Sequence, residues 1–450
     1  MFVRPSLHRL HPSVRKIRRM GLLVLLTGSV ATVHSSEPVT AEVVNRLATE
    51  MRTNHPSLRA RAAGVQASEA NAAGVRIWRD PELEFGGGVY AVPEMTREQG
   101  DLIYGLRQPL PLLGKEKAVR RVATAESEAA RTRFETRFVE LRRDLARSLF
   151  EVALARRLVA LDQTDLAWLE SQRANTQARM AAAGESAGQW LRLENELSRR
   201  QNELTNHRAL LRNAEVALAR AAGRPTGSTW PEYTLPPAGG PVPFSEAVVR
   251  IAEGAEPAVQ MARQEARVAT VLAEATRKST RPDLALGAQG YQYTGDGSFP
   301  QGMFSLSVSL PWFNRKAYRR DIERDEARRR AAEEEHLDAR AAVRQEVHRL
   351  TTRIAASSRE ARLLADQILP RTRTVLATLE ALWTSGRGEL REILETRRQL
   401  VEAERELARA TALYWDSVSE LLLCCGLDDL ETLQSLAEAA PSKPSAPLNR

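Results

Sequence analysis

The side chains that most often do chemistry in proteins are few in this sequence and lie apart from one another. The two cysteines, Cys424 and Cys425, are adjacent near the end of a helical pattern. Neighbouring residues on a helix point in different directions and make a poor disulfide pair, whereas a thiolate metal site needs spaced cysteines or nearby histidines. We therefore interpret both cysteines as small buried apolar side chains.

No arrangement of the remaining residues predicts catalysis. The chain has no HExxH, no C-x-x-C and no nucleophile elbow, and the histidines beyond residue 35 are scattered: His55, His207, His336 and His348. Gly86–Gly88 is a glycine run within a strand-like segment and not a phosphate-binding loop that opens a helix. The sequence predicts no catalytic residue, no bound metal and no cofactor, so we expect that the protein is not an enzyme.

The first 35 residues have the composition of an export signal. Residues 1–19 carry six basic side chains and no acid, and the apolar run Met20–Val33 follows them. This run is shorter than the roughly 20 apolar residues of a membrane span, and Val33 and Ser35 fit cleavage after Ser35. No cysteine follows the run, so the sequence does not indicate a lipid anchor at the mature N-terminus.

The charge balance changes once this signal is set aside. The whole chain has a formal net charge of +8, of which residues 1–35 contribute +6, so the remainder carries about +2. The sequence pI of 9.8 therefore does not indicate a nucleic-acid partner. The arginines alternate with glutamates along helical stretches, which is typical of solvated helix faces.

The chain repeats itself with a period of about 200 residues. The segments 55–58 (HPSL), 80–83 (DPEL) and 110–115 (LPLLGK) return in the same order as 256–259 (EPAV), 281–284 (RPDL) and 310–315 (LPWFNR). Gly184 and Gly386 interrupt the helical pattern of each copy. We divide the chain into a signal peptide, a first repeat, a linker rich in Pro and Gly, a second repeat and a disordered tail: 1–35, 36–223, 224–243, 244–430 and 431–450.

Each repeat contains the same predicted elements in the same order. A helical stretch comes first, followed by a strand pair, a very long helix, a glycine turn and a returning helix. The predicted strands lie at 82–90 and 101–108 in the first repeat, and at 283–293 and 302–310 in the second. The long helices, 115–180 and 315–384, would each extend about 100 Å, with a kink at Pro370.

The last strand shows strict alternation of apolar and small polar residues along Phe304–Leu310. This pattern predicts a strand with one apolar face and one polar face. Four strands per chain leave open edges, and an open edge is not tolerated in lipid. If these strands enter a membrane, the chain must therefore form an oligomer.

The duplicated order of elements resembles the TolC-like outer-membrane factor family over nearly the whole mature chain. The motifs that carry the resemblance are 80–83 (DPEL), 108–111 (QPLP) with Gly114-Lys115, the strand exit 308–315 (VSLPWFNR), and 367–370 (QILP) ahead of Gly386. Within that family, the first strand and the strand-to-helix exit look most like the branch that serves heavy-metal pumps of the resistance–nodulation–division class.

The resemblance implies a mainly α fold with a small β part, built from two tandem repeats of long helical hairpins plus a β-hairpin. It implies a homotrimer whose strands form a 12-stranded barrel in outer-membrane lipid, above an α-helical tube in the periplasm. The partners would be a periplasmic adaptor and an inner-membrane efflux transporter, and the substrates would include heavy-metal cations.

The resemblance also assigns the site residues. A periplasmic gate would be lined by acidic rings at Glu392 and Glu395, which are three residues apart and share a helix face, and such rings favour cations. Trp190 departs from the acidic or polar residue expected at the equivalent place in the first repeat. The other assigned residues are the tip turn (Gly184, Gly386, Arg387, Arg391), the lumen-facing strand residues (Ser305, Ser307, Ser309) and the lipid-facing ones (Phe304, Leu306, Val308).

Two alternatives remain open at this point. An outer-membrane duct of a type I polypeptide secretion system or a drug efflux system would have the same elements. A soluble periplasmic coiled-coil scaffold or adaptor would share the signal peptide and the long helical hairpins, but it would not need two matched strand pairs with apolar faces.

Overall fold

A computed structural model describes residues 36–90, 99–183, 187–293 and 301–438. The predicted signal peptide, Gly184 and the last twelve residues of the chain lie outside these ranges. The described chain is mostly helical with a small strand part, in agreement with the predicted fold class.

The first repeat contains one short strand, two short helices, a strand pair and a long helical hairpin. These are β1 (Ser36–Pro38), α1 (Ala41–Asn54), α2 (Pro56–Gly74), β2 (Glu82–Tyr90), β3 (Gln99–Leu110), α3 (Lys115–Ala183) and α4 (Ala187–Ala222). The second repeat has the same order and adds a C-terminal helix. Its elements are β4 (Glu232–Thr234), α5 (Glu246–Ala255), α6 (Pro257–Ser279), β5 (Leu284–Tyr293), β6 (Gln301–Val308), α7 (Arg315–Leu363), α8 (Leu369–Thr384), α9 (Leu390–Cys425) and α10 (Leu430–Glu438). The ends of the four long strands lie within two residues of the predicted ones.

The first helical stretch of each repeat is divided into two helices, where the sequence predicted one. His55 and Glu256 each have ψ = 124° and precede a proline that begins the next helix. A residue before proline is driven out of the helical region by the proline ring. The duplicated X-Pro step is therefore a helix boundary, and the predicted continuous helix is wrong at this point.

Pro370 does not end the long helix of the second repeat. A π-helical turn at Leu364–Ile368 joins α7 to α8, and Pro370 is the second residue of α8. A wider turn ahead of a proline leaves room for its ring and removes the need for the N–H that proline lacks. The helix therefore accommodates the proline through a change of helical type.

The tail predicted to be disordered begins with a helix instead. Residues 431–438 belong to α10, in which Leu433 and Ala437 are buried against the core of the second repeat. The Asp429 carboxylate accepts hydrogen bonds from the Thr432 backbone N–H and hydroxyl, both over 2.9 Å, and so caps the helix. The prediction was wrong here because it rested on the Pro- and Ser-rich composition of the whole tail, which does not extend to this short amphipathic segment.

The linker is not helical, as predicted, but it contains a strand that the sequence did not indicate. β4 pairs in parallel with β1, so that Glu37 lies opposite Tyr233. Tyr233 and Trp230 are buried beside α1, α3 and the end of α4. The linker thus fastens β1 to the helices.

Four strands form one antiparallel sheet in the order β2-β3-β5-β6. The helices that adjoin the sheet follow the same order, α2-α3-α6-α7. Helix α3 lies between α2 and α6, and α7 packs on the other side of α6. Further along the molecule α9 lies between α3 and α7, and α4 packs on α3. Cys424 and Cys425 are buried in the core around α9. Burial raises the pKa of the Cys425 thiol to about 12.

Candidate functional site

The turn between α8 and α9 forms the described tip of the molecule. Gly386 has φ = 77°, in the left-handed region, and the Arg387 N–H donates to the Leu382 carbonyl over 2.9 Å. Gly388 lies directly against the backbone of Trp383, because a Cβ on Gly388 would be 2.7 Å from the Trp383 nitrogen. The tight turn therefore requires glycine at both positions.

Helix α9 leaves this turn with its apolar side buried and its acids exposed. Leu390, Ile393 and Leu394 pack in a core with Trp383, whereas Glu392 and Glu395 face outward. The spacing of the two acids on one face is as the sequence predicted.

The two glutamates differ in their charge environment. The Glu395 carboxylate is 3.1 Å from Arg398, whose second Nη donates to Glu196 of α4 over 2.7 Å. Glu392 makes no ion pair with any part of the chain that the structure describes. Of the two, Glu392 thus presents the less compensated negative charge.

The other residues predicted at the tip differ in their surroundings. Arg387 and Arg391 are exposed, and neither forms an ion pair within the described ranges. Gly184 lies outside those ranges. Trp190 is half-buried and has the guanidinium of Arg173 5.5 Å from its ring centroid.

A buried ionic network lies next to the tip and was not predicted from the sequence. Arg397 of α9 donates to Asp165 of α3 over 2.6 Å, and Arg405 donates to Asp162 of α3 over 2.5 Å. Arg200 of α4 also lies 2.6 Å from Asp165. The network joins α9 to the α3–α4 hairpin across an interface that excludes water.

One carboxylate of the network, Glu203, has a lowered pKa. Burial alone would raise the pKa of Glu203, but the hydrogen bond from Arg405 over 2.7 Å and the nearby Arg200 lower it below its usual value. His207 completes the group, with Nδ1 2.5 Å from the Asp162 carboxylate. The positive charges of Arg405 and Arg200 thus favour the ionised form of Glu203.

One signal in the sequence could have revealed the network. Leu158, Asp162, Asp165 and Leu169 follow one another at spacings of four, three and four, so the two aspartates occupy positions of the apolar stripe. Charged residues are common along these helices, and most of them are solvated. Only their position on the stripe distinguishes this pair.

The four-stranded sheet has one apolar face and one polar face. Register places Leu83, Leu106, Ala288 and Phe304 side by side on the first face, and the Phe304 side chain is 91% exposed. Leu306 and Val308 share this face and are also exposed. An exposed apolar surface of this extent marks a contact with lipid or with another protein.

The opposite face carries polar and small residues. Ser305 and Ser307 lie on it opposite Gly287 and Ala285, and Gln289 donates to Glu84 across the sheet over 2.8 Å. Ser309 lies just after the end of β6, where its hydroxyl accepts from the Asp283 N–H over 2.6 Å. The predicted alternation of the two residue sets is therefore present in the strand.

The described residues were also compared with the requirements of a membrane-spanning helix and of a metal site. No helix within the described ranges combines the length and apolar composition that spanning a membrane would require. Among the same residues, no group of three or more His, Cys, Asp or Glu side chains is placed to hold a metal ion.

Comparison with known proteins adds a family and a fold. The family model described as "Outer membrane efflux protein" matches residues 47–224 and again 248–427, which corresponds to the two repeats. A comparison with curated proteins finds no match.

Solved structures of similar fold cover most of the chain. The outer membrane protein VceC from Vibrio cholerae has 17% identity and a TM-score of 0.71, over 87% of this chain and 99% of VceC. The Campylobacter jejuni CmeC outer membrane channel has 11% identity and a TM-score of 0.70, over 96% and 98%. CusC, described in terms of transmembrane channel formation, has 17% identity and a TM-score of 0.66, over 87% and 94%.

Proposed function

The chain belongs to the outer membrane efflux protein family, and from this membership we propose that it is the exit duct of a tripartite efflux system. The duct is a homotrimer that receives substrate from an inner-membrane transporter through a periplasmic adaptor. Transport is passive, and no bond in the substrate changes. The observation that carries the proposal is the four-stranded sheet with an exposed apolar face and two open edges.

Closure of the sheet requires further copies of the chain. Within the described residues, β2 and β6 each pair with one neighbouring strand and leave the other edge open. Because the strands alternate in direction, β6 of one copy can pair antiparallel with β2 of the next. Three copies then close 12 strands into a barrel without an edge.

The helices have matching open flanks. Leu210 and Val216 on α4 are about half exposed, and so are Val375 and Leu382 on α8. These helices lie at opposite ends of the helical layer, since α4 packs on α3 and α8 packs on α9. In the trimer, the apolar row of α4 covers that of α8 from the next copy and closes the tube.

The two faces of the sheet then have distinct environments. Phe304, Leu306 and Val308 face outer-membrane lipid, and Ser305, Ser307 and Ser309 face the lumen. Such an arrangement gives the apolar face a partner and leaves the polar face in water.

The gate lies at the periplasmic end of the tube. Three copies of Glu392 form a ring of carboxylates that favours cations, and Glu395 forms a weaker ring because Arg398 compensates its charge. Arg387 and Arg391 contact the neighbouring copy in the closed state. We assign the widening of the gate to the part of α9 before Arg397, because beyond that residue buried ion pairs hold α9 against α3.

Heavy-metal cations are the proposed substrates. The strand-exit motif at 308–315 supports the metal-efflux branch, and the uncompensated Glu392 suits the passage of cations. Substrate choice itself rests with the transporter and the adaptor.

The trimer is tested by the mass of the purified protein in detergent. Light scattering is expected to give three copies, and Leu210→Asp or Val375→Asp is expected to give monomers, because each places a charge in the subunit contact. Leu413→Asp on α9 is the matched control, since Leu413 is also exposed but lies away from both flanks. A monomeric wild-type protein, or equal effects of all three variants, would overturn the proposed closure.

A further inference from the structure

A band of exposed aromatic and basic side chains lies where the sheet meets the long helices, and we propose that this band binds the headgroups of anionic phospholipids. The junction band consists of Trp78, Trp312, Phe313, Arg315, Lys316 and Arg319. The inference rests on the proposed function, because it requires the sheet to lie in a membrane. It adds a class of lipid and the residues that select it.

Contacts between the two repeats fix the level of the junction. Lys115 at the beginning of α3 is 2.8 Å from the Asp283 carboxylate ahead of β5. Arg281 donates to the Leu113 carbonyl over 2.7 Å, and within the second repeat the Ser309 N–H donates to the Asp283 carbonyl over 2.9 Å. The ends of the strands and the beginnings of α3 and α7 therefore lie at one level.

The aromatic members continue the apolar face of the sheet. Trp312 and Phe313 follow the end of β6 within five residues, and they are 57% and 80% exposed. Trp78 precedes β2 and is also exposed. Large exposed aromatic side chains at the border of an apolar band are typical of a membrane–water interface, where the ring contacts acyl chains and headgroups.

The basic members differ from most arginines of α7 in their ion pairing. Arg315, Lys316 and Arg319 are exposed, and none forms an ion pair with any residue in the described ranges. Arginines further along the same helix do form such pairs, for example Arg329 with Glu333 over 2.5 Å and Arg344 with Glu246 over 2.6 Å. Exposed cations without an ion pair also lie elsewhere in the described chain, for example at Arg387 and Arg391. What distinguishes the junction is that three of them lie within five residues of sequence, next to exposed aromatic side chains.

The first repeat has the same feature at the same place. Lys117 and Arg120, in the first two turns of α3, are exposed and unpaired among the described residues. Positive charge at the beginning of a helix is disfavoured by the helix dipole, so helix stability does not account for these cations in either repeat. An anionic partner at this level accounts for them.

Phospholipid headgroups match both parts of the band. Their phosphates lie at the depth at which interfacial aromatic rings sit, and lysine and arginine side chains extend towards them from the protein. Free phosphate would leave the exposed rings unexplained. The apolar face, the aromatic rings and the cations follow one another in the order that a bilayer presents acyl chains, interface and anionic headgroups.

The test compares two brominated lipids as quenchers of tryptophan fluorescence. The purified protein is reconstituted in phosphatidylcholine vesicles that contain a minor fraction of brominated phosphatidylglycerol or of brominated phosphatidylcholine. At low salt we expect phosphatidylglycerol to be favoured at least about fivefold, the factor that a single one of the three cations would contribute near an anionic surface. The double variant Trp78→Phe/Trp312→Phe should lose most of the quenching and so locate it at the junction.

Charge variants decide whether the junction selects the lipid. Arg315→Gln/Lys316→Gln/Arg319→Gln is expected to remove the preference. The matched control is Arg330→Gln/Arg359→Gln/Arg371→Gln, which removes the same charge from exposed residues that are unpaired within the described chain, and it should keep the preference.

The outcomes separate this inference from the proposed function. Equal quenching by both lipids in the wild type would overturn the headgroup preference and leave membrane insertion intact, whereas absence of quenching by either lipid would contradict insertion itself. A junction variant that loses the trimer but keeps the lipid preference would identify the band as a subunit contact and overturn the inference.

Discussion

Arg405 of α9 donates a hydrogen bond to the fully buried carboxylate of Asp162 on α3 over 2.5 Å. The pair joins the second repeat to the first at a depth that water does not reach. Removing one partner of a buried pair leaves the other charge without compensation, which is more costly than losing a solvated pair.

We therefore expect Arg405→Ala to lower the free energy of unfolding of the helical part by about 3–5 kcal/mol. Arg409→Ala is the matched control on the same helix, because its pair with Glu402 over 2.9 Å is exposed and should contribute about 0–1 kcal/mol. Denaturant unfolding followed by circular dichroism measures both. Equal losses in the two variants would show that the network contributes no more than a surface pair.

Asp325 on α7 is expected to make the stability of the fold depend on pH in the acid range. The hydrogen bond from Arg324 lowers the pKa of Asp325 to about 2, with a further hydrogen bond from Thr276 of α6 over 2.7 Å, against the opposing effect of burial. Because the pKa of Asp325 is lower in the folded state, the residue stabilises the fold at pH values above about 3.9, the pKa of an aspartate in the unfolded chain. This contribution is lost as the pH falls towards 2.

Asp325→Asn is expected to lose at most about 2 kcal/mol of stability at neutral pH and to show a smaller further loss between about pH 4 and pH 2. Asp321→Asn is the control, since Asp321 also contacts Arg324 but its side chain is about half exposed. Unfolding free energies across a pH series provide the measurement. An acid-induced loss of the same size in wild type and Asp325→Asn would exclude this residue as its source.

Substitution of Gly388 is expected to loosen the α8–α9 turn at the tip. A Cβ at this position would lie 2.7 Å from the backbone nitrogen of Trp383, so Gly388→Ala must open the turn. We expect the α8–α9 turn to be cleaved several times faster in limited proteolysis, with the cut sites located by mass spectrometry. Gly254→Ala in α5 meets no atom within 4 Å and should leave the cleavage rate unchanged. Unaltered cleavage of Gly388→Ala would contradict the close packing of the turn.

Features with a strong period were predictable from the sequence. The strand alternation at Phe304–Val308 and the 200-residue duplication depend on local patterns, and both appear in the structure. The division of the first helical stretch depends on a single X-Pro step at His55, and α10 depends on one cap at Asp429. Each of these features depends on one or two residues, so a prediction from the overall composition of the segment misses it.

Contacts between distant segments were beyond the reach of the sequence patterns. β1 and β4 are short, and their pairing joins residues nearly 200 positions apart. Asp165 and Asp162, the partners of Arg397 and Arg405 on α3, lie more than 230 positions away, although each arginine resembles many solvated ones on the same helices. The difference in charge compensation between Glu392 and Glu395 likewise depends on Arg398 and its contact with α4.

Single-channel recording tests the central claim, that this chain forms a passive duct with a carboxylate gate. The purified protein in a planar bilayer is expected to show small, cation-selective steps of conductance. Glu392→Gln should reduce the selectivity for cations, and Glu395→Gln should reduce it less, because Arg398 already compensates that charge. A protein that inserts as a trimer yet conducts no ions, or whose selectivity is unchanged in Glu392→Gln, would contradict the account.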